Sequence, residues 1–115
     1  MAIEHLESGE ILSQAVEYNG VVYVCGLTAD DMKLDVRGQT EQVLKKIDDR
    51  LKKCGTDKSK LLTATIYLTR MDDKPAMNEA WKAWLGPLER PTRACVGTAL
   101  GTPDTLVEIV VSAAK

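Results

Sequence analysis

The dipeptide Asn19-Gly20, set between two β-rich runs, constrains this chain more than any other feature. Asn-Gly supplies the paired positive backbone angles of a type I′ turn, whose twist matches that of antiparallel strands. Leu12, Gln14, Val16 and Tyr18 alternate with Ser13, Ala15 and Glu17 before it, and Val21-Val22-Tyr23-Val24-Cys25 follows. Residues 11 to 27 are therefore expected to form a hairpin, with Ile3 to Glu7 as an additional edge strand. The runs Val21 to Val24 and Val107 to Val111 are apolar on both faces. A sheet built from them needs cover on two sides.

From Asp35 the period changes. Val36, Thr40, Val43, Leu44, Ile47, Leu51 and Cys54 recur at helical spacing, with Asp35 as N-cap, Lys52 and Lys53 in the last turn and Gly55 beyond the end. Gln39, Lys45, Lys46, Asp49 and Arg50 read as its solvated face, since mixed-sign charges on one helix face are ordinary. Leu61 to Leu68 reads as a strand, with Leu62, Ala64, Ile66 and Leu68 on one side. Asp72 or Asp73 is expected to cap a second helix with Pro75 in its first turn and Gly86-Pro87 at its end. Its stripe of Met77, Ala80, Trp81, Trp84 and Leu88 reads as core. Arg93 to Thr98 and Thr105 to Ala113 read as two last strands, joined as a hairpin.

This order predicts an α+β fold, a mixed sheet with both helices on one face. A chain of 115 residues then has nothing left to cover the other face, so a homo-oligomer joined through its sheets is expected, with ligand pockets at the interfaces.

Composition removes several function classes. The net charge of -2 and pI near 5.4 argue against a nucleic-acid partner. No segment reaches transmembrane length and the first residues lack a leader pattern, so no membrane partner is expected and the cytoplasm is the expected location. Cys25, Cys54 and Cys95 have no metal-ligand spacing, and His5 is the single histidine. No metal site and no histidine-dependent triad are expected.

Two charges stand where packing alone would not put them: Arg93 at the start of one apolar strand and Glu108 inside the next. Alternation places Arg93, Cys95 and Gly97 on one face. In a symmetric hairpin Glu108 would lie opposite Val96, about 10 Å along the strands from Arg93, too far for a tight ion pair. Arg93 is then either free to grip an anionic ligand through its planar fork or paired with an acid from another element or subunit. Glu108 is either a structural acid or a group that desolvation equips to hold a water. Cys95, with no activating neighbour, reads as a small buried hydrophobe.

The run Arg90-Pro-Thr-Arg93-Ala-Cys95-Val96, followed by Val107-Glu108-Ile109, resembles the C-terminal signature of the Rid/YjgF family of reactive-intermediate deaminases. The resemblance extends through Gln14, Cys25-Gly26, Lys53-Cys54-Gly55, Tyr67-Leu68 and Met77-Asn78-Glu79-Ala80-Trp81, and implies that residues 1 to 115 form a single domain of this kind. It implies a chorismate-mutase-like fold, a homotrimer whose sheets form a barrel, and a site at each subunit interface. It also implies hydrolysis of 2-imino and 2-enamino acids to 2-oxo acids and ammonia, as in 2-iminobutanoate/2-iminopropanoate deaminases, without a cofactor. The arginine matching Arg93 binds the carboxylate and the acid matching Glu108 positions water. Backbone around Cys95 holds the ligand, and the positions matching Cys25 and Asn78 line the site. The chain departs from the pattern at Leu12, where a tyrosine is usual, and at Cys25, where a serine is usual. Leu12 makes that pocket wall more apolar. A relative that binds small carboxylates without turnover is the alternative, and an endoribonuclease or translation inhibitor the third reading.

Overall fold

The structure, a computed structural model, describes residues 2–115. Strands β1 (Glu4–Ser8), β2 (Ser13–Tyr18) and β3 (Val21–Val24) form an antiparallel meander. It leads into α1 (Val36–Lys53), β4 (Leu61–Leu68), α2 (Lys74–Leu85), β5 (Thr92–Gly97) and β6 (Val107–Ala114). Asn19 and Gly20 both have positive φ, 52° and 78°, as a type I′ turn requires. The additional strand at the N-terminus forms, and it lies at the sheet edge.

All six strands belong to one mixed sheet in the order β1-β2-β3-β6-β4-β5. The expected C-terminal hairpin does not form. β5 runs parallel to β4, while β6 is inserted between β3 and β4 and is antiparallel to both. The residues explain this choice. Val107 to Val111 is apolar on both faces and suits a central strand, whereas β5 carries Thr92 and Arg93 and suits an edge. Pairing the last strand centrally also satisfies the backbone groups of β3 and β4 at once.

Both helices pack on one face of the sheet over a single core, in which Val22, Val43, Ile47, Leu51, Ile66, Leu68, Met77, Val107 and Ile109 are fully buried. Asp35 caps α1, its carboxylate accepting from the Gly38 N–H at 2.9 Å. The acid expected to cap α2 does not. Asp72 and Asp73 lie in a preceding 3-10 turn, and Asp73 is already helical in backbone, so its side chain cannot turn back onto the first amides. Gly86 at φ 56° ends α2.

Two other readings change. Leu62 does not share the core face with Ala64. An extra residue in the β4–β6 ladder between Leu61 and Thr63 turns Leu61 inward and leaves Leu62 exposed. Gln39 is not solvated but fully buried. Its amide donates to the carbonyls of Leu34 and Asp104 at 3.1 and 3.0 Å, and its oxygen accepts from Leu106 N–H at 3.0 Å. It therefore ties α1 to the loop entering β6.

Among the described residues no helix covers the opposite sheet face. Tyr23, Leu62 and Val96 are 52%, 43% and 40% exposed there, with Thr65 and Val110 beside them. Among the described residues, no helix is long and apolar enough to cross a membrane.

Candidate functional site

Arg93 reaches the edge of the sheet on the helix side. Its Cα partner on β4 is Ala64, which pairs in turn with Val111, and both are buried in the core. From this position the side chain meets α2. Nη1 donates to Asn78 Oδ1 at 2.8 Å and approaches Met77 Sδ at 3.9 Å, and the guanidinium lies 5.5 Å from the centroid of the Trp81 ring, over its face. Asn78 and Trp81 are one helical turn apart, so α2 offers them as a pair on one stripe. The Nε and Nη2 edge of Arg93 has no protein acceptor, and no carboxylate lies within ion-pair distance, among the described residues. That edge is the side-on fork that fits a carboxylate in two-point contact.

Cys95 follows on the same face of β5, opposite Ile66, half-buried against the core. It is a packing residue with its backbone at the sheet edge, close to what its sequence context indicates.

Glu108 faces the other way. Its Cα partner on β4 is Tyr67, which pairs on the far side with Val96, so these three side chains share the uncovered face. Level with Val96, Glu108 keeps the expected displacement from Arg93, and alternation along β5 already implies the opposite face. Within one chain the arginine and the glutamate lie on opposite sides of the sheet, with β4 between their strands.

The floor beneath Glu108 is a β-bulge. β3 and β6 pair at Tyr23–Ser112, and pairing resumes at Leu27–Ile109 with one residue more on the first strand. Val24, Cys25 and Gly26 fill that interval against Val110 and Val111, and Gly26 is packed so closely on the Glu108 carboxylate that a Cβ there would overlap Oε2 and lie 3.1 Å from Cδ. Gly26 does not have positive φ. Here glycine serves close approach, not an unusual backbone angle.

Cys25 lies beside it, its thiol donating to Gln14 Oε1 at 3.6 Å, an oxygen that also accepts from Arg50 Nε at 3.2 Å. Burial pushes the Cys25 thiol up, against the opposing pull of Arg50 and Lys46, so it is held as a neutral thiol and not as a nucleophilic thiolate. Leu12 stands at the turn between β1 and β2, half-exposed, its carbonyl accepting from Gly9 N–H at 2.8 Å. The structure therefore forms two groups of residues: Arg93, Asn78 and Cys95 on the helix side of one edge, and Glu108, Gly26 and Cys25 at the β3–β6 bulge.

Sequence reasoning missed three participants. Trp81 is the core residue that its stripe predicts, and its further contact with Arg93 is signalled only by its spacing of three from Asn78. Gly26 carried no signal beyond its place after Cys25. Arg50, read as solvated, is bonded to Gln14 and to Asp49 Oδ2 at 2.9 Å.

The chain is similar to known proteins over nearly its whole described length. The family described as Endoribonuclease L-PSP matches residues 3–115. A RutC family protein of Haemophilus ducreyi is 44% identical over 102 residues, 89% of this chain and 87% of that protein. The RutC family protein YoaB of Escherichia coli K12 is 36% identical over 99% of both chains. A member of the YjgF protein family from Neisseria meningitidis superposes with a TM-score of 0.96 at 37% identity, covering 100% of this chain and 96% of that one.

Proposed function

Because the chain belongs to the Rid/YjgF family, the one described as Endoribonuclease L-PSP, we propose that it hydrolyses reactive 2-imino and 2-enamino acids to 2-oxo acids and ammonia. The observation that carries this reading is the free Nε and Nη2 edge of Arg93, held by Asn78 on its other side and with no carboxylate among the described residues to neutralise it. A small carboxylic acid supplies the missing partner.

The opposed faces of Arg93 and Glu108 support a shared site. One chain contributes the carboxylate anchor, and a neighbouring chain, brought up by packing of the uncovered sheet faces in a homotrimer, contributes Glu108. Glu108 takes a proton from water as the water oxygen bonds to C2 of the imine, and passes that proton to the imine nitrogen. The resulting carbinolamine collapses as its hydroxyl proton is carried by Glu108 to the amino nitrogen, the C–N bond breaks, ammonia leaves, and C2 becomes the carbonyl of the 2-oxo acid. An enamine first gains a proton at carbon to become the imine. The sequence of steps is redox-neutral and needs no metal or organic cofactor. Backbone groups at Cys95 border the anchored carboxylate, and Leu12 and Cys25 give an apolar wall that favours aliphatic side chains over polar ones. The cytoplasm, where amino-acid metabolism generates such imines, fits this activity.

One observation favours a second reading, binding without turnover: Leu12 stands half-exposed where the family pattern has an amphipathic ring. A ribonuclease reading has weaker support, since the single histidine, His5, sits on β1, away from both residue groups.

The test generates an imine in situ with an amino-acid oxidase and follows its capture by semicarbazide. Wild type is expected to accelerate loss of the imine and Arg93→Ala to abolish that acceleration. No acceleration with several imino acids, together with measurable binding of 2-oxo acids, selects the binding-only reading.

A further inference from the structure

We propose that Trp81 is a positioning residue for Arg93, an indole platform that, with Asn78, fixes the guanidinium plane so that its free edge meets an incoming carboxylate side-on. The inference rests on the carboxylate-anchoring reading of Arg93 given above.

An arginine at a sheet edge has several rotatable bonds and, without constraint, spreads its fork over many directions. Two contacts remove that freedom here. Asn78 Oδ1 fixes one nitrogen, Nη1, at 2.8 Å, and the Trp81 ring lies under the guanidinium carbon at 5.5 Å. A hydrogen bond alone leaves rotation about its own axis, and the ring face removes it. Trp81 is itself held firmly. It is 5% exposed, sits against Trp84 with ring centroids 5.6 Å apart, and Trp84 is anchored by its N–H to Asp48 at 3.0 Å. The platform is therefore set by the α1–α2 packing and not by the ligand.

The ring also changes the electrostatics of the anchor. A π face attracts the cation without neutralising its charge. An aspartate or glutamate at the same place would compete with the ligand. Trp81 thus orders Arg93 while leaving its full charge for the substrate, a combination that an ion pair could not provide. Because the carboxylate is held alike in the ground and transition states, the effect falls on binding and KM, not on kcat.

Arginine Nε–H resonances and binding of 2-oxobutanoate test the proposal. In the wild type, Arg93 Nε–H, identified by its loss in Arg93→Lys, is expected upfield of the other arginines through the ring current. Trp81→Leu should return it to the range of exposed Arg70 and weaken 2-oxobutanoate about five- to thirty-fold, the equivalent of about 1–2 kcal/mol. KM for the imine should rise by a similar factor with kcat unchanged. Trp81→Phe, which keeps a π face, should stay within about threefold of wild type in binding. An unshifted wild-type resonance overturns the proposal, as does a Trp81→Leu protein with native circular dichroism and wild-type affinity. If Trp81→Leu does not fold, the wild-type resonance and Trp81→Phe decide. If the wild type binds no 2-oxo acid, the function proposed above fails, and the resonance alone judges the platform.

Discussion

Replacing Gly26 by alanine separates stability from catalysis at this site. The new methyl group would overlap Glu108 Oε2 and lie 3.1 and 3.4 Å from Cδ and Cγ, whereas carbon atoms pack best at about 3.5–4.0 Å. Backbone strain does not arise, because Gly26 does not have positive φ. The atoms in the way are the end of a flexible, half-buried side chain, so relief comes by rotation of the glutamate, which withdraws its carboxylate by on the order of 1 Å. Such rotation costs folding little, about 0.5–1.5 kcal/mol if Glu108 settles off a preferred rotamer. Catalysis responds far more steeply, since a displacement of about 1 Å in a reacting group lowers rate by about 100-fold. Urea denaturation and the semicarbazide assay should therefore give a nearly unchanged midpoint with a roughly 100-fold fall in kcat. Binding of 2-oxobutanoate, which the proposed function assigns to Arg93, should be retained. A Gly26→Ala protein with wild-type kcat would refute the role given to the Glu108 carboxylate. A loss of about 3 kcal/mol or more would show that the side chain cannot move aside.

Other outcomes follow from the packing and the charges. Gln39→Ala empties a fully buried position and leaves the part-buried Asp104 carbonyl and Leu106 N–H without their partner, and should lower stability by about 1–3 kcal/mol in urea denaturation. Val110→Glu puts a charge in the middle of the uncovered face, and if the proposed packing of these faces holds, light scattering should report an oligomer for the wild type and a monomer for the variant with circular dichroism unchanged. Cys25 should reach half-maximal iodoacetamide reactivity at a higher pH than a model thiol, because burial dominates over Arg50 and Lys46, and Arg50→Ala should move it higher still. Since this folded-state pKa is raised, the stability linked to it is present below the unfolded thiol pKa and is lost as pH rises through the folded one.

Local chemistry made much of the fold readable. Asn19-Gly20 specified its turn, Asp35 and Gly55 bracketed α1, and Gly86 ended α2, each through contacts made within a few residues. The insertion of β6 was not readable, since it depends on competition between β3, β4 and β5 for a partner far away in sequence. The same non-local step changed one part of the site. Alternation put Arg93 and Cys95 on one face correctly, and a place level with Val96 already put Glu108 on the other; only the strand between them, with Tyr67 as the partner of Glu108, depended on the insertion. Gln39 and Trp81 show the limit of helical periodicity. A polar residue can be buried where a loop needs three hydrogen bonds, and an aromatic core residue can also support a charge.

A site shared between chains can be reassembled from two damaged ones. Arg93→Ala and Glu108→Gln proteins, each expected to be inactive alone, are to be mixed in equal amounts, unfolded and refolded together. If each site takes its arginine from one chain and its glutamate from a neighbour, random assembly makes about a quarter of the sites intact, and about a quarter of wild-type imine hydrolysis returns. Recovery no greater than that of the separately refolded variants would contradict the shared site and the assignment of Arg93 and Glu108 to different subunits.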